Sequence, residues 1–402
     1  MSPAIDTAAE AELQGKRDSI IMESQIYQKG VKNLCDEGIS KVPTKYILPP
    51  SDRPNCTVKE SELKGTSGSG LHLKLPLIDF AELQGPNRSH VLHTLSNACQ
   101  QYGFFQVVNH GIPEHVTSSM IDVGRRFFDL PLEERSKYMS IDMHKPVRCG
   151  TSFNQTKDGV FCWRDFLKIY CHPLSDVLPH WPSSPHDFRK MAVTYSKETK
   201  FLFLMLTEAI LESLGLLGTT MMTKKKKKTA AEDAEEEEEQ EEEDEIMKEF
   251  REGSQLMVLN CYPPCPQPEL TLGMPAHSDY GFLTLLLQDN VPGLQIQFQG
   301  QWLTLQPLPN SFVVNVGDHL EIFSNGRYKS VLHRVVANSA NCRISVASLH
   351  SLPFDYVIRP SPRLIDEENP RRYTDTDFAS FLDYISSCEP KKKNFLESRK
   401  LT

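Results

Sequence analysis

The sequence predicts a mixed α and β protein in which a helix-rich half precedes a compact antiparallel β-sandwich or barrel. From about residue 75 to 218, apolar residues recur mostly at the three- and four-residue spacing of one-sided helices. After Arg251, short apolar runs are instead broken by Gly, Pro and Asn, as in all-β units. With 402 residues, of which 39% are hydrophobic, the chain can bury one large core or two modest ones.

Residues 1–70 are predicted to form an N-terminal arm and linker. A helix is expected around Ile20–Cys35, and a proline-containing extended run follows at Lys41–Pro50. The polar, glycine-rich stretch Asn55–Gly70 predicts a loop. The folded unit therefore opens at Leu75–Phe80, whose composition indicates a short buried strand.

A helix-rich region is predicted at residues 75–218. Its helices are expected at Ser89–Tyr102, Glu114–Leu130 and Met191–Leu217, and Phe104–Val108 is expected to be a strand. The tail at residues 361–402 is predicted to be helical around Asp377–Ser387.

The β-rich core is predicted at residues 251–360, with Gln299-Gly300 as a turn between two of its strands. The predicted strands are Gln255–Asn260, Leu283–Leu287, Gly293–Phe298, Gln301–Leu305, Phe312–Val316 and Ile344–Leu349.

A low-complexity insertion at residues 219–250 separates the two halves. Residues 224–245 hold five lysines (Lys224–Lys228) and twelve acidic residues, so this segment alone carries −7 of the formal net charge of −9. Too few apolar residues are present for packing, which predicts a disordered, solvated segment. The basic run could act as a nuclear-localisation patch, but a loop grown by low-complexity expansion is the favoured explanation. The remaining chain has no broad basic face, which disfavours nucleic-acid binding.

The rest of the composition predicts a chain that is neither secreted nor associated with a membrane. No apolar stretch approaches the ~18 residues that a membrane-spanning helix needs, and residues 1–15 lack the features of a signal peptide. The 10 cysteines lack CxxC pairs and are expected to be reduced thiols. Cys261 and Cys265 alone make a weak zinc clip, and structural packing is favoured for both.

Three ligand-type side chains in the β-rich half predict a metal centre. His277 and Asp279 have the two-residue spacing that directs both side chains to one face of a strand, and His333 follows at the other end of the predicted sheet. Two histidines and one carboxylate form the facial triad of non-haem Fe(II) oxygenases. The HxD motif alone is weak among 13 histidines, because an isolated histidine is more often structural.

Arg343 and Ser345 suggest a carboxylate clamp beside this metal. Both lie on one face of a predicted strand, and Arg343 is ten residues beyond His333. A buried arginine needs an anionic partner, and its planar fork matches a carboxylate. A metal with open positions next to such a clamp is what a chelating 2-oxo acid requires. The alternative is an ion pair between Arg343 and an acidic side chain of the protein.

These residues resemble the HxD…H…RxS set of plant-type 2-oxoglutarate- and Fe(II)-dependent dioxygenases, such as flavanone 3-dioxygenase-like and flavonol synthase-like oxygenases. The resemblance extends from about Leu75 to Phe354. The flanking motifs that carry it are Gly103-Phe-Phe-Gln-Val-Val-Asn-His-Gly111, Asn260-Cys-Tyr-Pro-Pro-Cys-Pro-Gln-Pro-Glu269, Val291-Pro-Gly-Leu-Gln295, Asn315-Val-Gly-Asp318 and Ser324-Asn-Gly-Arg-Tyr-Lys-Ser330.

The resemblance implies a double-stranded β-helix (jelly-roll) core flanked by helices, with Fe(II) held by His277, Asp279 and His333. It also implies that O₂ is consumed, that 2-oxoglutarate becomes succinate and CO₂, and that ascorbate supports the reaction. A small plant metabolite or hormone would be hydroxylated, or thereby demethylated or desaturated, by a cytoplasmic monomer. The residues expected to contact 2-oxoglutarate are Arg343, Ser345, Tyr262 and Asn260.

The substrate pocket departs from this resemblance. Leu349 and Ser351 stand where flavonol- and anthocyanidin-forming relatives carry a phenylalanine and a glutamate, so no ring can stack on the Leu349 side chain. His110, His319 and His350 are expected to be structural or, for the last two, pocket-lining. An aromatic segment could line the pocket instead or could pack in the core, and its members are Phe153, Phe161, Trp163 and Phe166.

Two other functions stay open. In an ethylene-forming oxidation of a cyclic amino acid, the RxS pair would bind a different carboxylate. A catalytically idle jelly-roll would bind a small ligand or a protein partner, and the intact triad and clamp argue against it.

Overall fold

The computed structural model describes residues 30–54, 73–140, 142–152, 158–218, 245–387 and 395–401. Several predicted segments lie outside these residues. They are the N-terminal arm up to residue 29, the predicted linker, most of the charged insertion, and Phe153. The division of the chain at residues 70, 218, 250 and 360 therefore stays a prediction. Among the described residues, no helix has both the length and the apolar character needed to cross a membrane.

The strands of the described residues are named β1–β12 in chain order, and they form two facing sheets. The larger sheet has the order β1-β2-β10-β7-β12-β5-β4-β3, and the smaller has the order β6-β11-β8-β9. Neighbours pair antiparallel except β1 and β2, which are parallel. The strands are Leu77–Asp79, Phe104–Val108, Val147–Gly150, Asp165–Tyr170, Gln255–Tyr262, Met274–His277, Leu283–Gln288, Leu294–Phe298, Gln301–Thr304, Phe312–Val316, His333–Val335 and Arg343–His350.

Helices cover the outer face of the larger sheet. The long helix α7 (Phe188–Ser213) packs against α3 (Arg88–Gln101) and α4 (Glu114–Phe128), and both α4 and α7 contact β12. Leu202, Leu206 and Ile210 of α7 are fully buried in this layer, so apolar burial fixes the helices to the sheet. Named α1–α10, the helices are Val31–Asp36, Phe80–Leu83, Arg88–Gln101, Glu114–Phe128, Leu132–Ser136, Leu174–Val177, Phe188–Ser213, Asp318–Phe323, Phe378–Ser387 and Phe395–Arg399, and residues 245–251 are also helical.

The expected jelly-roll core flanked by helices is confirmed. All six strands predicted after Arg251 are present, and Gln299 and Gly300 make the turn between β8 and β9 with φ of 49° and 78°. Positive φ at both central residues is typical of the type I′ hairpin turn, whose twist matches that of the strands.

Four strands were not predicted from the sequence, namely β3, β4, β6 and β11. β6 contains Pro275, β11 has only three residues, and β3 and β4 place Arg148 and Lys168 among apolar residues. Strand propensity is weak in β3, β6 and β11, and pairing with neighbouring strands overrides it, whereas β4 contains strand-forming residues (Phe166, Ile169 and Tyr170) whose signal was missed. The long helix α7 also begins three residues earlier and ends four residues earlier than the predicted Met191–Leu217.

Candidate active site

His277, Asp279 and His333 converge on one point between paired strands. His277 ends β6, Asp279 follows two residues later, and His333 opens β11 directly opposite His277 in the antiparallel register. The Nε2 atoms of His277 and His333 lie 3.6 Å and 3.7 Å from Oδ1 of Asp279. All three ligand atoms lie within 4.8 Å of one another, which is the arrangement that one metal ion needs.

Hydrogen bonds orient the three side chains. Nδ1 of His277 lies 2.8 Å from the carbonyl oxygen of Pro275, and Nδ1 of His333 lies 3.3 Å from that of Val331. Asn315 Nδ2 donates to Asp279 Oδ2 at 2.9 Å. A proton on each Nδ1 leaves each Nε2 lone pair, together with Asp279 Oδ1, for a metal.

The electrostatics of the triad suit a divalent cation. Burial is the main cause that lowers the pKa of His277 to about 4, and the nearby His333 contributes to this lowering, so His277 is neutral at pH 7. Burial alone would raise the pKa of Asp279, but the imidazoles of His333 and His277 bring it below its usual value. Neutral imidazole and ionised carboxylate are the forms that bind metal, and this donor set fits Fe(II).

The clamp residues lie on two paired strands of the larger sheet. Arg343 stands opposite Tyr262 and Ser345 stands opposite Asn260 in the β12–β5 register. The Arg343 guanidinium lies 5.1 Å from the centre of the Tyr262 ring, and its Nη1 is 3.4 Å from Ser345 Oγ. The structure therefore brings all four predicted 2-oxoglutarate contacts to one wall.

Arg343 has unused hydrogen-bonding capacity toward an anion. It is 1% exposed, its Nη2 donates to Gln288 Oε1 at 2.9 Å, and its Nε has no partner among the described atoms. Within the described chain, no acidic side chain forms an ion pair with it, so the alternative of an internal ion pair is not observed there. A buried guanidinium with a free Nε–H and no acidic partner among the described residues fits a site that receives a carboxylate.

A cavity of about 390 Å³ connects the triad with the clamp. Its wall continues along the inner faces of β4, β5 and β12 and includes Phe166 and Leu349. Its other end is aromatic and involves the C-terminal helices α9 and α10, with the side chains of Phe354, Phe378, Phe381 and Phe395. Such a cavity, apolar with a few polar groups, is typical of small-molecule sites.

Two members of the predicted aromatic pocket segment do not reach this cavity. Phe161 and Trp163 pack against Tyr46 of the N-terminal arm, with ring centroids 5.7 Å and 5.4 Å away. Neighbouring residues of an extended segment point to opposite faces, so Phe166 faces the cavity while these two face the arm. Of the two alternatives that the sequence left open for Phe161 and Trp163, this packing favours a place in the core over a place in the pocket wall.

The other histidines singled out in the sequence lie apart from the triad. His110 Nδ1 accepts a hydrogen bond from the Ile112 amide at 3.1 Å, in a turn. His319 Nδ1 lies 2.6 Å from Ser351 Oγ, and His350 Nε2 lies 2.9 Å from Ser348 Oγ. The His350 side chain borders the cavity, as expected for a pocket-lining residue.

Sequence reasoning missed two polar residues of the site. Gln288 holds Arg343, and Arg164 Nη1 donates to Asn260 Oδ1 at 2.9 Å. Gln288 carries no signal because it reaches Arg343 only through the pairing of β7 with β12. Arg164 could have been found as a charged residue inside the aromatic segment.

Comparisons with known proteins agree with this geometry. Residues 253–351 match the model of the 2OG-Fe(II) oxygenase superfamily, and residues 75–186 match that of the non-haem dioxygenase in morphine synthesis N-terminal region. The chain is 40% identical to DMR6-LIKE OXYGENASE 2 of Arabidopsis thaliana over 347 residues, which cover 86% of this chain and 90% of that protein. It is 39% identical to flavanone 3-dioxygenase 2 of Oryza sativa subsp. japonica over 357 residues, which cover 89% and 93%.

A third relative and a solved structure extend the likeness. Thebaine 6-O-demethylase of Papaver somniferum is 35% identical over 380 residues, covering 92% of this chain and 95% of that protein. The crystal structure of JOX2 in complex with 2OG, Fe and JA superposes with a TM-score of 0.75 at 29% identity, covering 93% of this chain and 98% of JOX2.

The fold, the triad and these similarities define a non-haem iron oxygenase. The chain belongs to the 2-oxoglutarate- and Fe(II)-dependent oxygenase superfamily. It is a 2-oxoglutarate-dependent dioxygenase with Fe(II) as its metal and 2-oxoglutarate as its co-substrate, and a catalytically idle jelly-roll is not favoured.

Proposed function

We propose that this dioxygenase hydroxylates a small plant metabolite or hormone in the cavity, or thereby demethylates or desaturates it, while 2-oxoglutarate becomes succinate and CO₂. The observation that carries the proposal is that the histidine–aspartate triad and Arg343, whose Nε–H has no partner among the described atoms, border the same cavity. Relatives named as a flavanone 3-dioxygenase and a thebaine 6-O-demethylase support a small-molecule substrate.

In this proposal, His277, Asp279 and His333 are the iron ligands. Three protein ligands leave open positions for co-substrate and oxygen. When bound, Fe(II) supplies the activation of O₂ that oxidises a substrate C–H bond. Asn315 keeps Asp279 in position through its hydrogen bond to Oδ2, and the buried surroundings keep His277 neutral.

Arg343, Ser345, Tyr262 and Asn260 orient 2-oxoglutarate. The distal carboxylate would bind Arg343 and Ser345 and accept a hydrogen bond from the Tyr262 hydroxyl. The aromatic side chains of Phe354, Phe378 and Phe381 limit the access of water to the far end of the cavity.

Anaerobic reconstitution tests the proposal. Protein loaded with Fe(II) and titrated with 2-oxoglutarate should develop the weak visible charge-transfer band of the chelate, and admission of O₂ should then release succinate. His277→Ala should lose both signals, whereas His186→Ala should keep them, because His186 is 94% exposed and is not among the residues that line the cavity. A folded protein that develops no band would overturn the assignment of the triad.

We further propose that the protein is a monomer of the cytoplasm, with Lys224–Lys228 available as a nuclear-entry signal. These lysines lie outside the described residues. Light scattering after size-exclusion chromatography tests the monomer. Imaging of a fluorescent fusion, with and without alanine at the five lysines, tests the location.

A further inference from the structure

Two cysteines meet on the face of the larger sheet that lies away from the cavity. Cys261 is in β5, and Cys342 directly precedes β12. Their Sγ atoms lie 3.5 Å apart, although 81 positions separate the two residues in the chain. Neither cysteine lines the cavity, and both pack with the main hydrophobic core. The pairing of β5 with β12 therefore creates a thiol pair that no local sequence pattern reveals.

This thiol pair adjoins two of the proposed 2-oxoglutarate contacts. Tyr262 follows Cys261 in the chain, Arg343 follows Cys342, and Tyr262 stands directly opposite Arg343 in the register. Successive side chains of a strand point to opposite faces, so the two clamp residues face the cavity while the cysteines face the helices. A covalent change at the thiol pair is therefore one residue away from both clamp side chains.

The two thiols differ in exposure and acidity, as an attacking and a resolving cysteine do. Cys342 is partly exposed, whereas Cys261 is fully buried. The hydrogen bond with Cys261 is the main cause that brings the pKa of Cys342 below its ordinary value, against the effect of burial, and it raises the pKa of Cys261. The thiolate is the form that reacts with oxidants, and a resolving cysteine beside it is typical of redox-sensitive sites.

Nearby charged groups add little to this difference. Lys32 and Arg125 favour the thiolate of Cys342, and Asp289 opposes it. Lys32 Nζ lies 3.1 Å from Asp129 Oδ1, and Arg125 Nη2 lies 3.5 Å from Asp289 Oδ2, so both cations already have acidic partners. The reactivity of Cys342 therefore rests on the adjacent thiol and on its exposure.

We propose that Cys342 and Cys261 form a peroxide-sensitive site, whose oxidation to a disulfide weakens the binding of 2-oxoglutarate at the clamp. The effect on 2-oxoglutarate rests on the proposed contacts of Arg343 and Tyr262 with that molecule. The oxidant is a peroxide, such as hydrogen peroxide.

The oxidation takes place in two steps. The Cys342 thiolate attacks one peroxide oxygen, the O–O bond breaks, and a sulfenic acid forms at Cys342 while the departing hydroxide takes up the Cys342 proton as water. The Cys261 thiol then attacks the Cys342 sulfur, the S–O bond breaks, and a second water leaves with the Cys261 proton. Two thiols thus lose two electrons and two protons, and one hydrogen peroxide becomes two water molecules.

Closure of the disulfide displaces the start of β12 more than it displaces β5. The two sulfur atoms must approach by about 1.5 Å to reach the ~2.05 Å of an S–S bond. Cys261 is held by ladder partners on both sides, namely Asp165 of β4 and Ile344 of β12. The β12 ladder begins only at Arg343, so Cys342 moves and shifts the adjacent guanidinium. A misplaced binding group loses affinity steeply, and we expect the dissociation constant of 2-oxoglutarate to rise about tenfold.

Peptide mapping of the oxidised protein tests the formation of the disulfide. Full-length protein freed of metal is treated with hydrogen peroxide, the excess is removed with catalase, and the protein is digested without reduction. Mass spectrometry should find the peptides of Cys261 and Cys342 joined, with the loss of two hydrogen atoms, and dithiothreitol should separate them. Iron is omitted at this stage because it would generate radicals from the peroxide.

Four variants assign the link to this thiol pair. Cys342→Ser and Cys261→Ser should lose the joined peptide, and Cys342→Ser is expected to fold because its site is partly exposed. Cys265→Ser should keep the joined peptide, which distinguishes Cys261 from this neighbouring cysteine. Cys35→Ser is the matched control, because Cys35 is also partly exposed but burial raises the pKa of its thiol to about 12.

The consequence for 2-oxoglutarate is measured on the same samples after anaerobic loading with Fe(II). Titration of the charge-transfer band should give a dissociation constant about tenfold higher for the oxidised parent than for the reduced parent. Treatment with dithiothreitol, followed by its removal, should restore the lower value. Peroxide-treated Cys342→Ser should bind 2-oxoglutarate like the reduced parent, whereas Cys35→Ser should respond to peroxide like the parent, which separates the disulfide from oxidation elsewhere.

The outcomes separate this inference from the proposed function. Absence of the joined peptide, its retention in Cys342→Ser, or equal 2-oxoglutarate affinity of the oxidised and reduced parent would overturn the inference. A reduced parent that develops no charge-transfer band would overturn the proposed function and the effect on 2-oxoglutarate with it, whereas the peptide map would still decide whether the disulfide forms.

Discussion

At the scale of single residues, Arg343 shows how one side chain prepares the site for its co-substrate. The guanidinium is buried on β12, and Gln288 satisfies part of its hydrogen-bonding capacity without cancelling its charge. A buried charge without a counterion is costly, so the binding of a dicarboxylate removes a penalty that the folded protein carries. The affinity for 2-oxoglutarate should therefore depend on the shape of this group as well as on its charge.

Replacement of Arg343 by lysine tests this dependence. Arg343→Lys should raise the 2-oxoglutarate concentration for half-maximal succinate formation about tenfold or more, because an ammonium cannot reproduce the two-pronged contact. Arg359→Lys serves as the control, since Arg359 is 58% exposed. Equal 2-oxoglutarate dependence of Arg343→Lys and the parent would remove Arg343 from the clamp.

Asn315 is the residue through which the position of Asp279 can be tested. Asn315→Ala removes the hydrogen bond to Asp279 Oδ2 and lets the carboxylate rotate away from the two imidazoles. Fe(II) affinity, measured by anaerobic metal titration, should fall about 10- to 100-fold. Asn87→Ala, at an exposed position, should leave the affinity unchanged. Retention of full affinity by Asn315→Ala would show that Asp279 is positioned by other contacts.

At the scale of elements, the start of β2 supports the segment that leads to His333. Gly103 has φ of 63°, and a Cβ atom there would lie 2.2 Å from the Lys329 carbonyl oxygen and 2.6 Å from Val331 Cγ2. Its carbonyl oxygen also accepts a hydrogen bond from the Val316 amide. Only glycine lets β2, β10 and the approach to β11 come this close.

Gly103→Ala should therefore lower the free energy of unfolding by more than the strain of the backbone conformation alone would cause. Gly38 is a matched control, because its φ is 79° and nothing lies within 4 Å of a Cβ placed there. Gly38→Ala should lower the free energy of unfolding by about 1 kcal/mol through φ strain, and Gly103→Ala by about 2 kcal/mol more through the clash. Urea unfolding of both variants measures the difference, and equal losses would contradict the role of close packing.

At the scale of the whole molecule, burial of ionisable groups couples stability to pH in both directions. Burial lowers the pKa of His319 to about 3 and raises that of Asp318 to about 7. The unfolded chain protonates His319 near pH 6.5, whereas the folded chain does not, so acid favours unfolding through this residue. Asp318 acts in the opposite sense between pH 4 and 7, because its folded form holds the proton more tightly.

The contribution of His319 to the pH dependence of stability can be isolated by replacing its side chain. Between pH 6 and 5, the parent should lose about 1 kcal/mol more stability than His319→Gln, because the unfolded parent takes up one additional proton. Thermal unfolding of the metal-free proteins at several pH values provides the measurement, and the exposed His186→Gln is the control. Parallel pH profiles for the parent and His319→Gln would show that His319 is not held neutral by burial.

Sequence patterns predicted those parts of the fold and site that depend on local spacing. Helices α3 and α4 and the six strands after Arg251 follow from apolar periodicity. The two-residue spacings of His277 with Asp279 and of Arg343 with Ser345 place each pair on one face of an extended segment, whatever surrounds it. Their joint resemblance to the dioxygenase motif was enough to predict the metal, the co-substrate and the jelly-roll core.

Tertiary structure decided what depends on the pairing of distant strands. Phe161 and Trp163 pack against the arm because the segment before β4 contacts it, whereas the support of Arg343 by Gln288 and the opposition of Arg148 and Lys168 follow from strand register. A register shift of one residue would turn each of these side chains to the other face, and no local pattern records the register. Local sequence patterns were therefore sufficient to predict the fold class and the chemistry of the iron centre. The walls of the substrate cavity and their charge were decided by contacts between segments far apart in the chain.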